Sequence, residues 1–371
     1  MKIRVNRQEF LRTLRVATTA VSENKIRPII SGIYMEASGS NITLKGTNLE
    51  LTVTSKMEGE VIVGGNLVFY HQLVEEYLKE ISDTEITLSI EGKTLLIETN
   101  DSSSEFSVFD AAEYPKIKSF DGGKEYKLNL EKLITLLEKS KFASAQSPEP
   151  NPAINCVRIE LEEGVLKLIS TDTYRLVYLA EEIGLEGDFK VSIPLKSVEA
   201  IIKIFSSKKD EEIIFAYEGN QVKFVVGETE VLTRVIDLAF PDYNGILQAT
   251  GYNKKVLIDP VEFKHLLKRV QIFVRNNSES KNSGVFEFKD GVLEVNGTSE
   301  IAKIDETIEI KKEGEDLKIS LNVKFLLDYL NFLEKDKKLL MNLSSSNSAV
   351  ELIIENEENF KYLVMPLALK E

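Results

Sequence analysis

The sequence predicts an α+β chain of three similar domains, each made of two strand-helix-three-strand repeats. Three observations carry this. The opening KIRVNRQEFLRTLRVATTAV at 2–21 alternates like a strand, then switches at Asn6, a helix cap, to helical spacing of Phe10, Leu11, Leu14, Ala17 and Val21. The same strand-into-helix pattern returns at 67–81, 126–142, 190–205, 255–273 and 317–333. With Asn6, Tyr70, Asn129, Pro194, Asp259 and Asn322 as markers, the period is roughly 63 residues, the mark of a repeat architecture. Finally, 371 residues exceed one ordinary core, and six half-domain units fit three domains.

Each helix should be followed by three short strands. In GIYMEASGSNITLKGTNLELTVTSKMEG at 32–59, Gly39-Ser40-Asn41 separates two alternating runs. The second repeat continues with TEITLSIEGKTLLIETN and SEFSVFDAAEYPKI, and Asp121-Gly122-Gly123 then reads as a flexible joint. The expected domains are therefore 1–121, 122–250 and 251–371. The tail EVLTRVIDLAFPDYNGIL copies the end of the first domain, with Phe240-Pro241 standing where Tyr114-Pro115 stood. The last strand, FKYLVMPLALKE, again carries a proline, Pro366. Its apolarity at a chain end predicts that it docks or serves as a docking site.

A hydrophobic content of 43% supplies material for packed cores, and the lack of a long apolar run argues against a membrane span. MKIRVNRQEF lacks the apolar centre of a signal peptide, and the single cysteine, Cys156, agrees with a reducing compartment, so a cytoplasmic protein is expected. The net charge of −14 argues at first against nucleic acid, which is bound by neutralising phosphates. Its distribution matters more: the predicted helices carry a small positive excess, and the rest of the chain is strongly negative. Helices and strands should face different partners, unless the helix cations are ordinary solvated charge.

A search for enzymatic chemistry finds little. His71 and His265 each lie on a predicted helix without an HExxH pairing or a nearby nucleophile, and Asp121-Gly122-Gly123-Lys124 lacks the context of a phosphate loop. Glu75-Glu76 and Glu357-Glu358 are adjacent and point apart, unlike a matched acid and base. No enzyme, cofactor or metal site is expected. The distinctive stretch is LKLISTDTYRLVYLAEE at 166–182, in which Thr171-Asp172-Thr173-Tyr174-Arg175 interrupts an apolar strand. By itself it is a polar hairpin.

Together with FPDYNGIL and YLVMPLAL, however, it resembles the bacterial sliding clamp family, the beta subunit of DNA polymerase III, over the whole chain. The resemblance implies a non-enzymatic processivity factor. In such a protein two three-domain chains close into a ring, helices lining the hole and sheets forming the outside. Such a ring is held on double-stranded DNA by topology, and a mildly basic lining lets the duplex slide through non-specific, salt-sensitive contacts. Carried over by position, the pocket for partner peptides of the replicative polymerase, clamp loader and other proteins comprises Ile154, Thr171, Thr173, Tyr174, Arg175, Leu176, Pro241, Gly245, Ile246 and Ala349, with Leu363, Val364, Met365, Pro366, Leu367, Ala368 and Leu369. Two positions depart from the family: Tyr174 replaces its usual His, and Gly245 an often basic residue. Lys370 and Glu371 extend beyond its common end.

The resemblance also implies DNA contacts at Lys25, Arg27, Lys196 and Asn322, and the helix cations Arg12, Arg15, Lys141, Lys268 and Arg269 are added from the charge pattern. Ring closure would pair an edge strand of the first domain with one of the third beside Phe106, Ile272 and Phe273, giving a homodimer. Two other classes stay open on residues alone: a monomeric repeat scaffold that binds only proteins, and a carboxylate-based hydrolase. A ring requires about twice the chain mass in solution, and a scaffold does not.

Overall fold

A computed structural model describes the chain except residues 118, 119, 121, 209, 210, 249, 250, 279, 370 and 371. The joint at Asp121 and the terminal Lys370 and Glu371 therefore lie outside the described residues. All six anticipated strand-to-helix junctions are present. The strands Lys2–Asn6, Gly65–Phe69, Lys124–Asn129, Phe189–Pro194, Lys254–Ile258 and Leu317–Asn322 lead into helices α1 (Arg7–Thr18), α2 (His71–Glu80), α3 (Leu130–Lys141), α4 (Leu195–Phe205), α6 (Pro260–Val274) and α7 (Val323–Leu330). Between α4 and α6 lies a short helix, α5 (Tyr243–Gln248), that the sequence pattern does not signal.

Four of the marker residues are caps in fact. Asn6 Oδ1 accepts from the Glu9 amide at 3.1 Å, Asn129 Oδ1 from Lys132, Asp259 Oδ1 from Val261 and Glu262, and Asn322 Oδ1 from Lys324 and Phe325. Tyr70 makes no side-chain cap bond.

Three antiparallel strands follow each of these six helices, as expected; two further short strands, Glu60–Val63 and Lys311–Glu313, extend the set. Among the described residues the strands form sheets of 13, 9 and 4 members. Two pairings join repeats distant in sequence: Leu51–Glu58 pairs with Thr229–Arg234, and Arg175–Glu182 with Glu357–Val364. The chain accordingly divides into two compact units, Met1–Thr135 with Lys196–Ile236, and Leu136–Leu195 with Asp237–Glu371.

In the first unit, Phe10, Leu11, Leu14 and Ala17 of α1 pack on a core that includes Ile3, Met35, Leu44, Leu88 and Ile97. The helix lies so close to the sheet that a Cβ at Gly46 would stand 2.2 Å from the Ala17 carbonyl oxygen, so no larger residue fits there without moving backbone.

Candidate functional site

The second unit brings the three motif segments together. Along the pairing of Arg175–Glu182 with Glu357–Val364, Leu176 faces Leu363 and Arg175 faces Val364. The Met365 amide then donates to the Tyr174 carbonyl at 2.8 Å, and the Leu367 amide to that of Ser320. Against this pair of strands packs the 240–248 segment: Tyr243 is buried in one cluster with Ile169, Leu176 and Leu363, and Phe240, Leu247 and Tyr178 pack around it. The segment holds as a helix because Asp242 Oδ1 accepts from the Asn244 and Gly245 amides, while Tyr243 supplies its buried anchor. Short helices need such tertiary support.

The result is an apolar surface with a polar turn at one end. Tyr174 is 63% exposed and Met365 43%, with Ile246 and Leu369 also in the open. Pro241, Ala349, Pro366 and Leu367 are half-buried, and Thr173, Gly245 and Ala368 are exposed. Thr171, Leu176, Leu363 and Val364 lie beneath, as floor rather than wall. Ala349 is next to Val350, which pairs with Val364. Ile154 is buried in a short 3-10 turn where its carbonyl accepts from the Ala145 amide.

Arg175 is not a surface anchor. Only 7% exposed, its Nε donates to Asp172 Oδ2 at 3.0 Å and its Nη1 to Asp328 Oδ2 at 2.6 Å, while the ring of Phe325 lies 4.1 Å from the guanidinium carbon. Asp172 Oδ1 also accepts from the Tyr174 and Arg175 amides, and Thr171 Oγ1 donates to the Arg175 carbonyl. The guanidinium thus staples the turn to α7.

At the apex, Thr173 has φ +76°, a left-handed conformation that a β-branched residue adopts at a cost of roughly 1–2 kcal/mol. Thr173→Gly should therefore raise stability by about 1 kcal/mol. Equilibrium urea unfolding checks this; a loss of stability would show that the threonine side chain holds the turn.

The cations divide into two groups. Arg12, Lys25, Arg27, Lys196 and Lys268 are exposed, and Lys141 is half-buried. In the first unit Arg12 and Arg15 line a cleft between α1 and α4 together with Lys203, which motif reasoning did not single out. Arg15 is paired with Glu75 at 3.1 Å. Arg269 forms a two-pronged bridge to Glu306, with both contacts at 2.6 Å; Glu306 holds the guanidinium more firmly protonated, and its own carboxyl is pulled down by the same hydrogen bond. Asn322 is committed as the cap of α7. The Tyr70–Gln72 end of α2 borders a separate cleft with Lys25, where burial lowers the His71 pKa.

Each compact unit also presents an unfinished edge. Among the described residues, Lys303–Glu309 closes the four-stranded sheet with a partner on one side only. Within the strand Ser103–Phe109, residues 103–107 pair with Thr94–Glu98, while on its other side, among the described residues, only Val108 and Phe109 are paired. Phe106 there lies in a cleft with Leu73 and Tyr77 of α2; Leu73, 66% exposed, is a second apolar group the motifs did not point to. On α6, Ile272 is 61% exposed and Phe273 half-buried, although the helix core is formed by Phe263, Leu266, Leu267, Val270 and Val274.

Cys156 is buried, and burial pushes its thiol up to about 12, which leaves it inert. Among the described residues there is no cluster of three metal-ligating side chains and no helix long and apolar enough to cross a membrane.

Comparison with known proteins agrees with this organisation. The chain is 24% identical to the beta sliding clamp of Pseudomonas aeruginosa over the full length of both, and 27% identical to that of Staphylococcus aureus over 91% of each. The solved DNA polymerase III beta subunit of Thermotoga maritima superposes with a TM-score of 0.91 at 27% identity, covering both chains fully. The Bacillus subtilis sliding clamp shares the fold at a TM-score of 0.94 and 20% identity, again over both whole chains. The N-terminal, central and C-terminal domain descriptions of the DNA polymerase III beta subunit match residues 1–118, 127–242 and 249–368 in that order, and the chain belongs to this family.

Proposed function

We propose that the chain is a DNA sliding clamp: a non-enzymatic processivity factor that encircles duplex DNA as a homodimer and tethers the replicative polymerase. The observation that carries this is the match of all three beta-subunit domain descriptions, in order, to a chain of six strand-helix-three-strand repeats. In this reading the domains are 1–121, 122–250 and 251–371, and the protein works in the cytoplasm. DNA is met by Lys25, Arg27, Lys196 and Lys268, and by Arg12, whose pairing with Glu9 at 3.9 Å is long and exposed, with Arg15, Lys141, Arg269 and Asn322 contributing less because they are closely paired, half-buried or capping. A mild basic lining suits a tether that must slide, and a chain charge of −14 disfavours DNA elsewhere.

The test is retention. Clamps loaded on closed circular DNA should persist at moderate salt and slip from linear ends within the same interval. Equal retention on both would identify simple electrostatic binding, which has no reason to sense an end.

The apolar surface of the second unit is proposed as the peptide groove. A short tail with a Gln near its start and an apolar or aromatic pair near its end would seat that pair against Ile246 and Met365, above the buried Val364, with Tyr174 at the lip. What supports this is the meeting of 171–176, 240–248 and 363–369 around one cluster, with apolar side chains left in the open. Deleting Met365–Glu371 is expected to abolish binding of such a peptide in a fluorescence-anisotropy titration, and Tyr174→Ala to weaken it less, with the solution mass unchanged in both. Undiminished binding by the truncated chain would place the groove elsewhere.

A further inference from the structure

The groove wall depends on a side chain that does not face the groove. Glu160 is a buried carboxylate, 4% exposed, on the strand Cys156–Glu162. Its Oε2 accepts the Tyr243 hydroxyl at 2.9 Å, its Oε1 accepts Arg158 Nε at 3.0 Å, and Lys190 Nζ stands 3.7 Å from Oε2. None of the motifs or edges accounts for it. Tyr243 is the one buried residue of α5, a six-residue helix, and it is held by the bond to Glu160 together with its ring's packing on Tyr178, at 6.0 Å between centroids, and on Ile169, Leu176 and Leu363. On the same helix, two and three residues on, Gly245 and Ile246 stand exposed.

We propose that the Tyr243–Glu160 bond is a positioning device for the peptide groove: it sets where Ile246 stands, and thereby sets the affinity for an apolar-ended peptide that neither residue touches. The inference rests on the peptide-groove reading above. Burial raises the phenol's pKa, and Glu160 raises it further, so Tyr243 stays protonated and donates across the neutral range. A charge-assisted bond made away from water is strong and directional, and it adds a fixed point to a surface helix of barely two turns that is otherwise held by the Asp242 cap and by the apolar packing of Tyr243 and Leu247. The two residues are 83 apart in sequence, so the bond also ties the central part of the chain to the segment that follows it.

The test uses the full chain and a fluorescent peptide carrying an N-terminal Gln and a C-terminal Leu-Phe pair. Tyr243→Phe keeps the ring and removes the bond; it should weaken binding roughly tenfold, equivalent to about 1.4 kcal/mol, with an unchanged sedimentation mass. Glu160→Gln keeps an acceptor and should weaken binding less, and the double variant should be no worse than Tyr243→Phe alone, because both remove one interaction. Amide exchange over 243–248 should quicken in Tyr243→Phe. A bond that served stability alone would lower the thermal midpoint and leave the peptide affinity intact, which would overturn the proposal. Ile246→Ala separates the two readings. If it loses affinity while Tyr243→Phe does not, the groove stands and the positioning role falls; if the wild-type chain does not bind the peptide, the groove reading falls and takes this inference with it.

Discussion

Arg175→Ala is expected to lower the stability of the second compact unit by about 3 kcal/mol, the low end of the range for breaking a buried ion pair. The low end applies because Asp172 and Asp328 keep 18% and 25% of their side-chain surface exposed, so water partly replaces the lost guanidinium. The loss has three parts. Two carboxylates are left without their cation, the stacking on Phe325 disappears, and the turn that places Tyr174 loses its tie to α7. Arg175→Lys should recover part of the charge term but neither the two-directional fork nor the stacking, and fall between. Calorimetry should show the affected transition lowered by roughly 6–12 °C, at 2–4 °C per kcal/mol for a unit of this size. A change below about 1 kcal/mol would mean that the pair behaves as an exposed one.

That prediction also marks where sequence reading stops. The strand-to-helix junctions were legible because each shows a change of period, reinforced in four of the six by a local cap, and caps such as Asn6 to Glu9 and Asn322 to Phe325 span three residues. Arg175 was legible as part of a motif, and its role was not. Its partner Asp328 lies 153 residues away and has nothing distinctive about it in sequence. Helix α5 escaped for a different reason. Six residues are too few to show a helical period, and its seat on Glu160 is again a long-range bond.

Repeat counting also could not anticipate how the sheets join. Strand edges of the central repeats are completed by Leu51–Glu58 and Glu357–Val364, so the compact units do not follow the repeat pairs. Exposed groups such as Leu73 were invisible because an amphipathic helix with one extra apolar residue looks the same whether that residue is buried or bare.

Ile272→Asp combined with Phe273→Asp is expected to abolish the proposed head-to-tail dimer, raising its dissociation constant at least about a hundredfold, or 2.8 kcal/mol. Ile272 lies off the buried face of α6, so its replacement spares the core; Ile272→Asp alone controls for the half-buried Phe273. In a closed joint two carboxylates would be desolvated without partners, a cost of several kcal/mol. Analytical ultracentrifugation should show wild type at about twice 41.8 kDa and the double variant at the single-chain mass. Wild-type mass in the variant would remove α6 from the joint.

The complementary face gives a sharper form of the same test. Leu73→Asp, in the cleft with Phe106 and Tyr77, should also give single chains. In a head-to-tail ring each joint uses one face of each kind, so a mixture of the two defective variants retains one sound joint per pair. The mixture should therefore regain a two-chain species, open and weaker than wild type because the second joint no longer closes the ring. A mixture that stays monomeric, although each variant is folded, would show that Leu73 and Ile272 do not lie on opposite sides of one joint.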